Sequence, residues 1–544
     1  MIIETARENT VGLRENRSHE IVRNWLAYLF TLVVVTALVP VSSSAEDELA
    51  PIPYLPFALG PYTWEISTTS DRAQAYFNQG MQLRYGYSMR EAARSMAEAR
   101  RIDPKCAMCF WGEAFALGSF LNRGMTEANA KLAHEAIETA AELSKDLPQL
   151  EIDLINAARV RYPANYDPDK RRISDQAFAD AMADVHKKYP NHSEVTTIYS
   201  TALFLLEERR GYRNLTDPKL QHLHELLQSV IERNPAHPGA CHLYIHATES
   251  TSQPELGLPC AETLGASVPG ASHIQHMPSH AWNEVGLWHR SVEANLKAWR
   301  ADRAALRDAG FSYGASHNLH MLVFAASFDG QGDVAIQAGD DYAEQTGNPM
   351  YAMLTRLRFG RFDEILERDD RPTNTRDAAF FDFAKGYASL REGDLAEAKA
   401  LRDAVVDYAA DTQDRFRYHS AATLTQLLAQ LLTGELHRVQ GDLPSAIAAY
   451  RKAVDLYDTL DYDEPGPLPF APRHWLGAAL LETGASLEAE LVYRTELDKH
   501  PHNGWSLFGL RQALAAQGKS DKTVDLDFAA SWARADIKLE ASRF

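Results

Sequence analysis

The chain has 544 residues, of which 45% are hydrophobic, and a formal net charge of −19 at pH 7. This acidic balance argues against nucleic acid and anionic membrane surfaces as partners, because like charges repel. A chain of this length exceeds what one hydrophobic core usually supports, so it predicts several domains or an extended repeat array.

The N-terminus has the pattern of an export signal. Residues 25–41 are almost wholly apolar, and the small residues Ser43, Ser44 and Ala45 precede Glu46. The pattern predicts a signal peptide over residues 1–45, cleaved after Ala45, and hence a periplasmic or secreted protein. The alternative is an uncleaved membrane anchor, since about 17 apolar residues are near the lower limit for a span. We expect no membrane span after cleavage, because no second long apolar run follows.

After an N-terminal extension over residues 46–69, the sequence predicts helix after helix. Six segments begin with a glycine followed by an amphipathic helix with small residues, at Gly86, Gly332, Gly393, Gly441, Gly484 and Gly518. Gly484 and Gly518 are separated by the tetratricopeptide period of 34 residues, while the earlier spacings are longer. Glycine permits the tight reversal between antiparallel helices. The pattern predicts an all-α solenoid of degenerate tetratricopeptide-like hairpins over 70–235 and 331–544, on either side of a His-rich region over 236–330.

The chain contains four cysteines, Cys106, Cys109, Cys241 and Cys260. In an oxidising compartment an even number permits two disulfides, and Cys106–Cys109 with Cys241–Cys260 is the local pairing among the three that four cysteines allow. The alternative for Cys106 and Cys109 is a redox or metal-binding pair. Spacing alone does not choose between them.

Seven histidines fall in three blocks of the His-rich region. They are His242, His246, His273, His276, His280, His317 and His320. At about 100° per residue, His242, His246 and Glu249 lie on one helix face. Imidazole with a carboxylate is a ligand set that copper, iron and zinc accept, so the block predicts a transition-metal site. The alternative is a buried polar stripe that neighbouring helices satisfy.

The second and third blocks extend this prediction. Pro278 fits the first turn of a helix that places His280 near its start and continues to Trp288, with His273 and His276 in the lead-in. His317 and His320, three residues apart, share a helix face.

Packing makes it plausible that the blocks meet. Stacked hairpins bring together residues 30 to 40 positions apart on neighbouring repeats. The gaps from His246 to His276 and from His280 to His317 are 30 and 37 residues. We therefore expect the histidines of the three blocks to converge in one groove. They offer more ligand atoms than one ion needs, which predicts either two metal ions or an open coordination position.

These blocks carry a resemblance to a known family. The sequence from Cys106 to Gly118, followed by the three histidine blocks in order, resembles exported bacterial tetratricopeptide-repeat proteins with a His-rich middle, from about residue 70 to the C-terminus. The resemblance implies an α-solenoid in which the blocks approach one another, and no settled activity. Segments 462–465 and 473–475 resemble a family feature that could close the groove, where Glu464 and Arg473 form either a charge pair or a substrate contact.

Two classes of function follow. One is an exported metalloenzyme, a hydrolase or an oxidoreductase, in which Glu249 or a histidine outside the ligand set acts as general base. The other is a peptide- or protein-binding scaffold whose histidines form a structural metal site or a polar core. In either class the expected partner is a small molecule or peptide in the concave groove. No phosphate-binding loop and no HExxH motif occurs in the sequence.

Overall fold

The computed structural model describes residues 50–55, 59–207, 211–312 and 314–544. The predicted signal peptide over residues 1–45 lies outside the described residues. Helices dominate the described part of the chain, and residues from Leu49 onward form one compact unit. Within these described ranges, no helix has both the length and the apolar character needed to cross a membrane.

The N-terminal helices follow one another as packed antiparallel neighbours. They are α1 (Asp71–Tyr85), α2 (Met89–Ile102), α3 (Ala107–Leu117), α4 (Glu127–Leu143), α5 (Gln149–Arg159), α6 (Arg171–Lys188) and α7 (Ser193–Phe204), with a 3₁₀ turn over Pro168–Lys170. Polar caps define several of their starts. Ser70 and Thr126 each accept a hydrogen bond from a backbone N–H of the first turn, which satisfies a donor that the helix leaves unpaired.

The middle of the chain carries the histidine blocks on helices of 5 to 22 residues. These are α8 (Pro218–Arg233), α9 (Pro238–Thr248), α10 (Leu258–Ser267), α11 (Ser272–His276), α12 (Pro278–Glu284), α13 (Trp288–Ala309) and α14 (Ala315–Asp329), with a 3₁₀ turn over Pro254–Gly257. The helix predicted to run on to Trp288 ends earlier. Gly286 adopts a φ of +74° after α12, so Trp288 begins the next helix.

The C-terminal part returns to regular hairpins. Its helices are α15 (Gly332–Thr346), α16 (Met350–Arg358), α17 (Phe362–Glu367), α18 (Thr375–Arg391), α19 (Leu395–Asp411), α20 (Ala421–Val439), α21 (Leu443–Asp458), α22 (Arg473–Glu482), α23 (Ser486–Lys499), α24 (Gly504–Ala516) and α25 (Lys522–Ser531). Two antiparallel strands of two residues each, β1 (Arg415–Phe416) and β2 (His419–Ser420), precede α20. The prediction of an all-α solenoid of tetratricopeptide-like hairpins is confirmed, with this small pair as an addition.

The turn glycines behave as predicted at four of the six positions. Gly393, Gly441, Gly484 and Gly518 have φ values between +70° and +92°, which non-glycine residues adopt at a cost. The other two positions differ. Gly332 is the first residue of α15, and Gly330 takes the left-handed turn before it; after α1, Tyr87 rather than Gly86 has a positive φ, of 58°.

Apolar packing forms three large clusters along the solenoid. One draws on residues between Ile52 and Leu226, the second on residues between Phe204 and Ala281, and the third on residues between Val292 and Leu539. The second cluster includes apolar residues of α9, α11 and α12, so these three histidine-bearing helices share one hydrophobic core. Such close packing fixes the directions in which their polar faces point.

The cysteines form the local pairing, Cys106–Cys109 and Cys241–Cys260. The first lies at the start of α3, and the second joins α9 to α10. Because Cys241 is adjacent to His242, the second bond anchors the helix that carries the first histidine block.

We predict that the Cys241–Cys260 bond stabilises the fold more than the Cys106–Cys109 bond. The two bonds span 19 and 3 residues, and cross-linking a longer loop removes more entropy from the unfolded chain, with estimates of about 3 and about 2 kcal/mol. Replacing each pair by serines and measuring the free energy of unfolding in urea tests this. A larger loss for the Cys106/Cys109 variant would contradict the expectation.

Candidate metal centre

Four short helices bring the histidines together. Helix α9 carries His242 and His246 and ends at Glu249, its C-cap residue. Helix α11 carries His273 and His276, α12 carries His280, and α14 carries His317 and His320. Pro238 and Pro278 begin α9 and α12 because proline suits the first helical turn, where its missing N–H is not needed.

Six of the seven histidines form two adjacent groups of three. The first group, called here the α9 group, is His242, His246 and His273; the second, the α12 group, is His276, His280 and His317. Within each group, one potential ligand atom per residue lies within 4.8 Å of the others. All six are buried except His317, which is half-buried.

The two groups are neighbours. The ring centroids of His273 and His276 are 4.9 Å apart, and those of His246 and His280 are 5.2 Å apart. Inside the groups, His242 Nε2 lies 3.1 Å from His273 Nε2, and His276 Nε2 lies 3.3 Å from His280 Nε2. The imidazoles therefore form one continuous patch of nitrogen donors.

Glu249 connects the two groups, because its carboxylate contacts one histidine of each. The Nδ1–H of His246 donates to Glu249 Oε1 at 2.7 Å, and the Nδ1–H of His280 donates to Glu249 Oε2. A carboxylate that holds Nδ1–H fixes the tautomer and leaves Nε2 free to bind a metal, an arrangement common among metal-ligating histidines. The carboxylate predicted as a ligand or base thus engages both oxygens in orienting two imidazoles.

A second carboxylate reaches the site from the far C-terminal half. Glu464 Oε2 lies 3.3 Å from His280 Nδ1 and 3.7 Å from His246 Nδ1. These two histidines with Glu249 and Glu464 form a third, fully buried group whose ligand atoms lie within 4.8 Å of one another. Segment 462–465 therefore covers the site, whereas Arg473 pairs with Asp458 at 2.9 Å.

Burial and charge set the protonation of the histidines. Burial lowers the pKa values of His242, His273, His276 and His317 well below the usual range, and the neighbouring histidines add to this lowering. These four are therefore neutral near pH 7, the form that binds metals.

His280 differs from its neighbours. Burial alone would lower its pKa, but Glu249 and Glu464 outweigh this effect and raise the pKa to about 10. Because a ligand needs a free Nε2 lone pair, an ion bound to His280 would replace the proton at that atom while Nδ1–H stays with Glu249.

Two buried nitrogens fit a metal site better than a self-contained hydrogen-bond network. His246 Nε2 and His276 Nδ1 have no hydrogen-bond partner among the described residues. A buried polar atom without a partner costs about 1–3 kcal/mol. The other ring nitrogen of His246 already has a partner, because its Nδ1–H donates to Glu249. The Nε2 lone pair is therefore free to bind an ion in the α9 group.

Residues of the N-terminal helices hold the α9 group in place. The Nδ1–H of His242 donates to the backbone carbonyl of Tyr85 at 2.6 Å. The ring of Tyr87 stacks on His273 at 5.0 Å and lies 4.2 Å from His242. Tyr85 is the last residue of α1, and Tyr87 lies in the reversal that follows, where its backbone is left-handed.

His320 is placed apart from the other six. Its Nε2 lies 3.2 Å from the Gly466 carbonyl oxygen and 2.5 Å from the Tyr351 hydroxyl oxygen, and that hydroxyl donates to the Pro467 carbonyl. His320 belongs to none of the three candidate groups. It instead anchors the segment that follows Glu464.

The sequence prediction did not assign two acidic residues to the site. Glu464 was considered only as a partner of Arg473 or a substrate contact, and no local spacing links it to the histidines. Glu284 lies one turn after His280 on α12, and burial and the charges of Glu249 and Glu464 raise its pKa to about 8. The i, i+4 spacing from His280 was the available signal for Glu284.

Two helical-repeat proteins of known structure match this chain weakly. Human IFIT1, solved as a dimer with m7Gppp-AAAA, is 12% identical and matches with a TM-score of 0.30, covering 91% of this chain and 100% of that one. The tetratricopeptide-repeat domain of P58(IPK) is 9% identical and has a TM-score of 0.22, covering 82% of this chain and 98% of that one. No family model and no curated protein matches the sequence.

Proposed function

We propose that this protein binds transition-metal ions, one in the α9 group and one in the α12 group, and uses them as a metal-dependent hydrolase or oxidoreductase. The observation that carries the proposal is the pair of buried three-histidine groups backed by one shared carboxylate, Glu249. Imidazole donors suit copper, iron and zinc.

The number of ligands favours chemistry over a purely structural ion. A structural zinc uses four protein ligands, whereas a catalytic one keeps three and leaves a position for water or substrate. Each group offers three imidazoles. When bound, the ions would activate water or dioxygen. Glu249 and Glu464 would orient the imidazoles, and Glu284, whose pKa of about 8 keeps most of its carboxyl protonated at pH 7, would donate a proton nearby.

The proposal includes an extracytoplasmic location, because the histidine blocks resemble those of exported bacterial repeat proteins. The two disulfides support it, because such bonds persist in oxidising compartments. The signal peptide over residues 1–45 would direct this export.

A scaffold without catalysis is the second candidate. The close Nε2 contacts, at 3.1 Å between His242 and His273 and at 3.3 Å between His276 and His280, can be hydrogen bonds between neutral rings. Under this alternative the histidines are a polar core, or hold a structural ion, in a solenoid that binds a peptide.

The metal content of the purified protein decides between these candidates. Elemental analysis of protein made without an affinity tag should find one or two equivalents of copper, iron or zinc. Protein reloaded with Co²⁺ should then change its visible absorption when azide is added, because an open position accepts the azide. A metal content below one equivalent in every growth medium contradicts the proposal. Bound Co²⁺ whose visible absorption does not change with azide favours the scaffold.

A further inference from the structure

A narrow cavity reaches the α9 group from the side of the N-terminal helices. Arg84, Tyr87 and His242 line it, and its volume is about 10 Å³. A space of this size holds roughly one water-sized group. One oxygen of a small ligand would therefore fit beside the His242 ring.

A second, larger pocket adjoins this inner cavity. The two share four wall residues, which are Phe120, Leu121, Phe204 and Leu205. The outer pocket has a volume of about 230 Å³ and is also lined by Arg123, Arg171 and Arg172, with Glu207 as the carboxylate on its wall. The two cavities adjoin along these shared residues, and together they are called here the anion path.

Arg84 is the unusual residue on this path. Its side chain is 2% exposed, its Nε–H donates to the Phe115 carbonyl at 3.2 Å, and its guanidinium lies 4.4 Å from the Phe115 ring centroid. Its Nη2 is buried and has no hydrogen-bond partner among the described residues. Burial lowers its pKa to about 10, so the group keeps its charge at pH 7.

The charge along the path contrasts with that of the whole chain. The protein carries a net charge of −19, yet among the described residues four arginines and one glutamate line the two cavities. Two of them have partners of their own, since Arg171 pairs with Asp175 at 2.6 Å and Arg172 donates to the Leu206 carbonyl. Arg123 is exposed at the mouth. A positively lined path with low-dielectric walls concentrates anions.

We propose that this path admits a small oxyanion, a carboxylate or a phosphate, and that Arg84 binds one of its oxygens next to the α9 group. The role of this anion as substrate rests on the proposed metal chemistry, but its binding to Arg84 does not. Guanidinium and oxyanion form charge-assisted hydrogen bonds, which would satisfy the buried Nη2–H groups.

Calorimetric titration of the metal-free protein with inorganic phosphate and, separately, with malonate tests the proposal. We expect saturable binding of at least one anion, and the two titrations show whether phosphate or carboxylate is preferred. Arg84→Gln should weaken the affinity at least about tenfold, since a hydrogen bond to a charged group contributes about 1.5–3 kcal/mol. Arg84→Lys should recover part of it, and Arg72→Gln, at an exposed position on α1, should match the wild type.

A second variant covers the case in which Arg84→Gln does not fold. Arg123→Gln with Arg172→Gln changes only exposed side chains at the mouth, and it should slow anion association and reduce its dependence on salt. Failure of both anions to saturate, equal affinity in Arg84→Gln and wild type, or unchanged association in the mouth variant would each overturn the proposal. Metal content is measured separately on the protein as purified, before the metal is removed, so failure of the metal proposal and failure of the anion proposal can be told apart.

Discussion

Replacing His246 and His280 together by asparagine is expected to abolish metal binding while the protein still folds. One residue comes from each three-histidine group, so both ions lose a ligand. Asparagine places an amide N–H near the position of Nδ1, which keeps a donor for Glu249, but it ends short of Nε2. Since altering residues that only support a ligand costs about 10–100-fold in affinity, we expect a loss of at least about 100-fold here.

The measurement is metal content after dialysis, together with a titration of Zn²⁺ against a competing chelator. The matched control replaces His222 and His502, which are exposed and belong to none of the three candidate groups. That control should retain the wild-type content. Equal metal loss in both double variants would show that surface histidines account for the binding and would remove the assignment.

Asp463→Asn is expected to lower the free energy of unfolding by about 3 kcal/mol at pH 7. Asp463 is buried and accepts two hydrogen bonds from Arg417, at 2.7 and 2.8 Å, next to Glu464 on the segment that covers the site. Removing one partner of a buried ion pair leaves the other charge uncompensated, which costs about 3–5 kcal/mol. We take the lower end because the Arg417 side chain is 23% exposed.

The effect should depend on pH in a defined direction. Burial would raise the pKa of Asp463, but the hydrogen bonds from Arg417 and His419 outweigh it and hold the pKa well below its usual range. Such a group adds stability above its unfolded pKa of about 3.9, and this stability is lost as the pH falls toward the folded value. The difference between wild type and variant should therefore narrow by about 1 kcal/mol at pH 3.

Urea unfolding at pH 7 and pH 3 measures this difference. Asp308→Asn serves as the control, because Asp308 forms an exposed ion pair with Arg307, and such pairs contribute about 0–1 kcal/mol. A loss in the Asp463 variant no larger than in the control, or a difference that stays constant with pH, would show that the pair does not hold the segment.

The local sequence was a good guide wherever the deciding interaction is local. The glycines at Gly393, Gly441, Gly484 and Gly518 occupy left-handed turns because the reversal of a hairpin needs a residue without a Cβ. The sequence left three pairings of the four cysteines open, and the structure adopts the local one, with Cys241 bonded to Cys260. Near Gly86 the same rule failed, since the backbone of Tyr87 is held left-handed by packing on distant histidines.

The histidine site shows where local patterns stop. The spacing of His317 and His320 places both on one helix face, but only His317 joins the α12 group, because Gly466 and Tyr351 engage His320. The helical spacing correctly places Glu249 beside His246. It does not show that the carboxylate accepts from Nδ1 of both His246 and His280. That double contact depends on the position of α12.

The sequence by itself determined the helical class, most of the hairpin turns and the three histidine blocks, because each depends on residues a few positions apart. The tertiary structure alone decided that Glu464 closes the site, that the Tyr85 carbonyl orients His242 and that Arg84 lies beside it. Those partners come from helices and loops far apart in the chain. Their meeting depends on how the apolar faces of the hairpins stack, and no short-range spacing encodes that stacking.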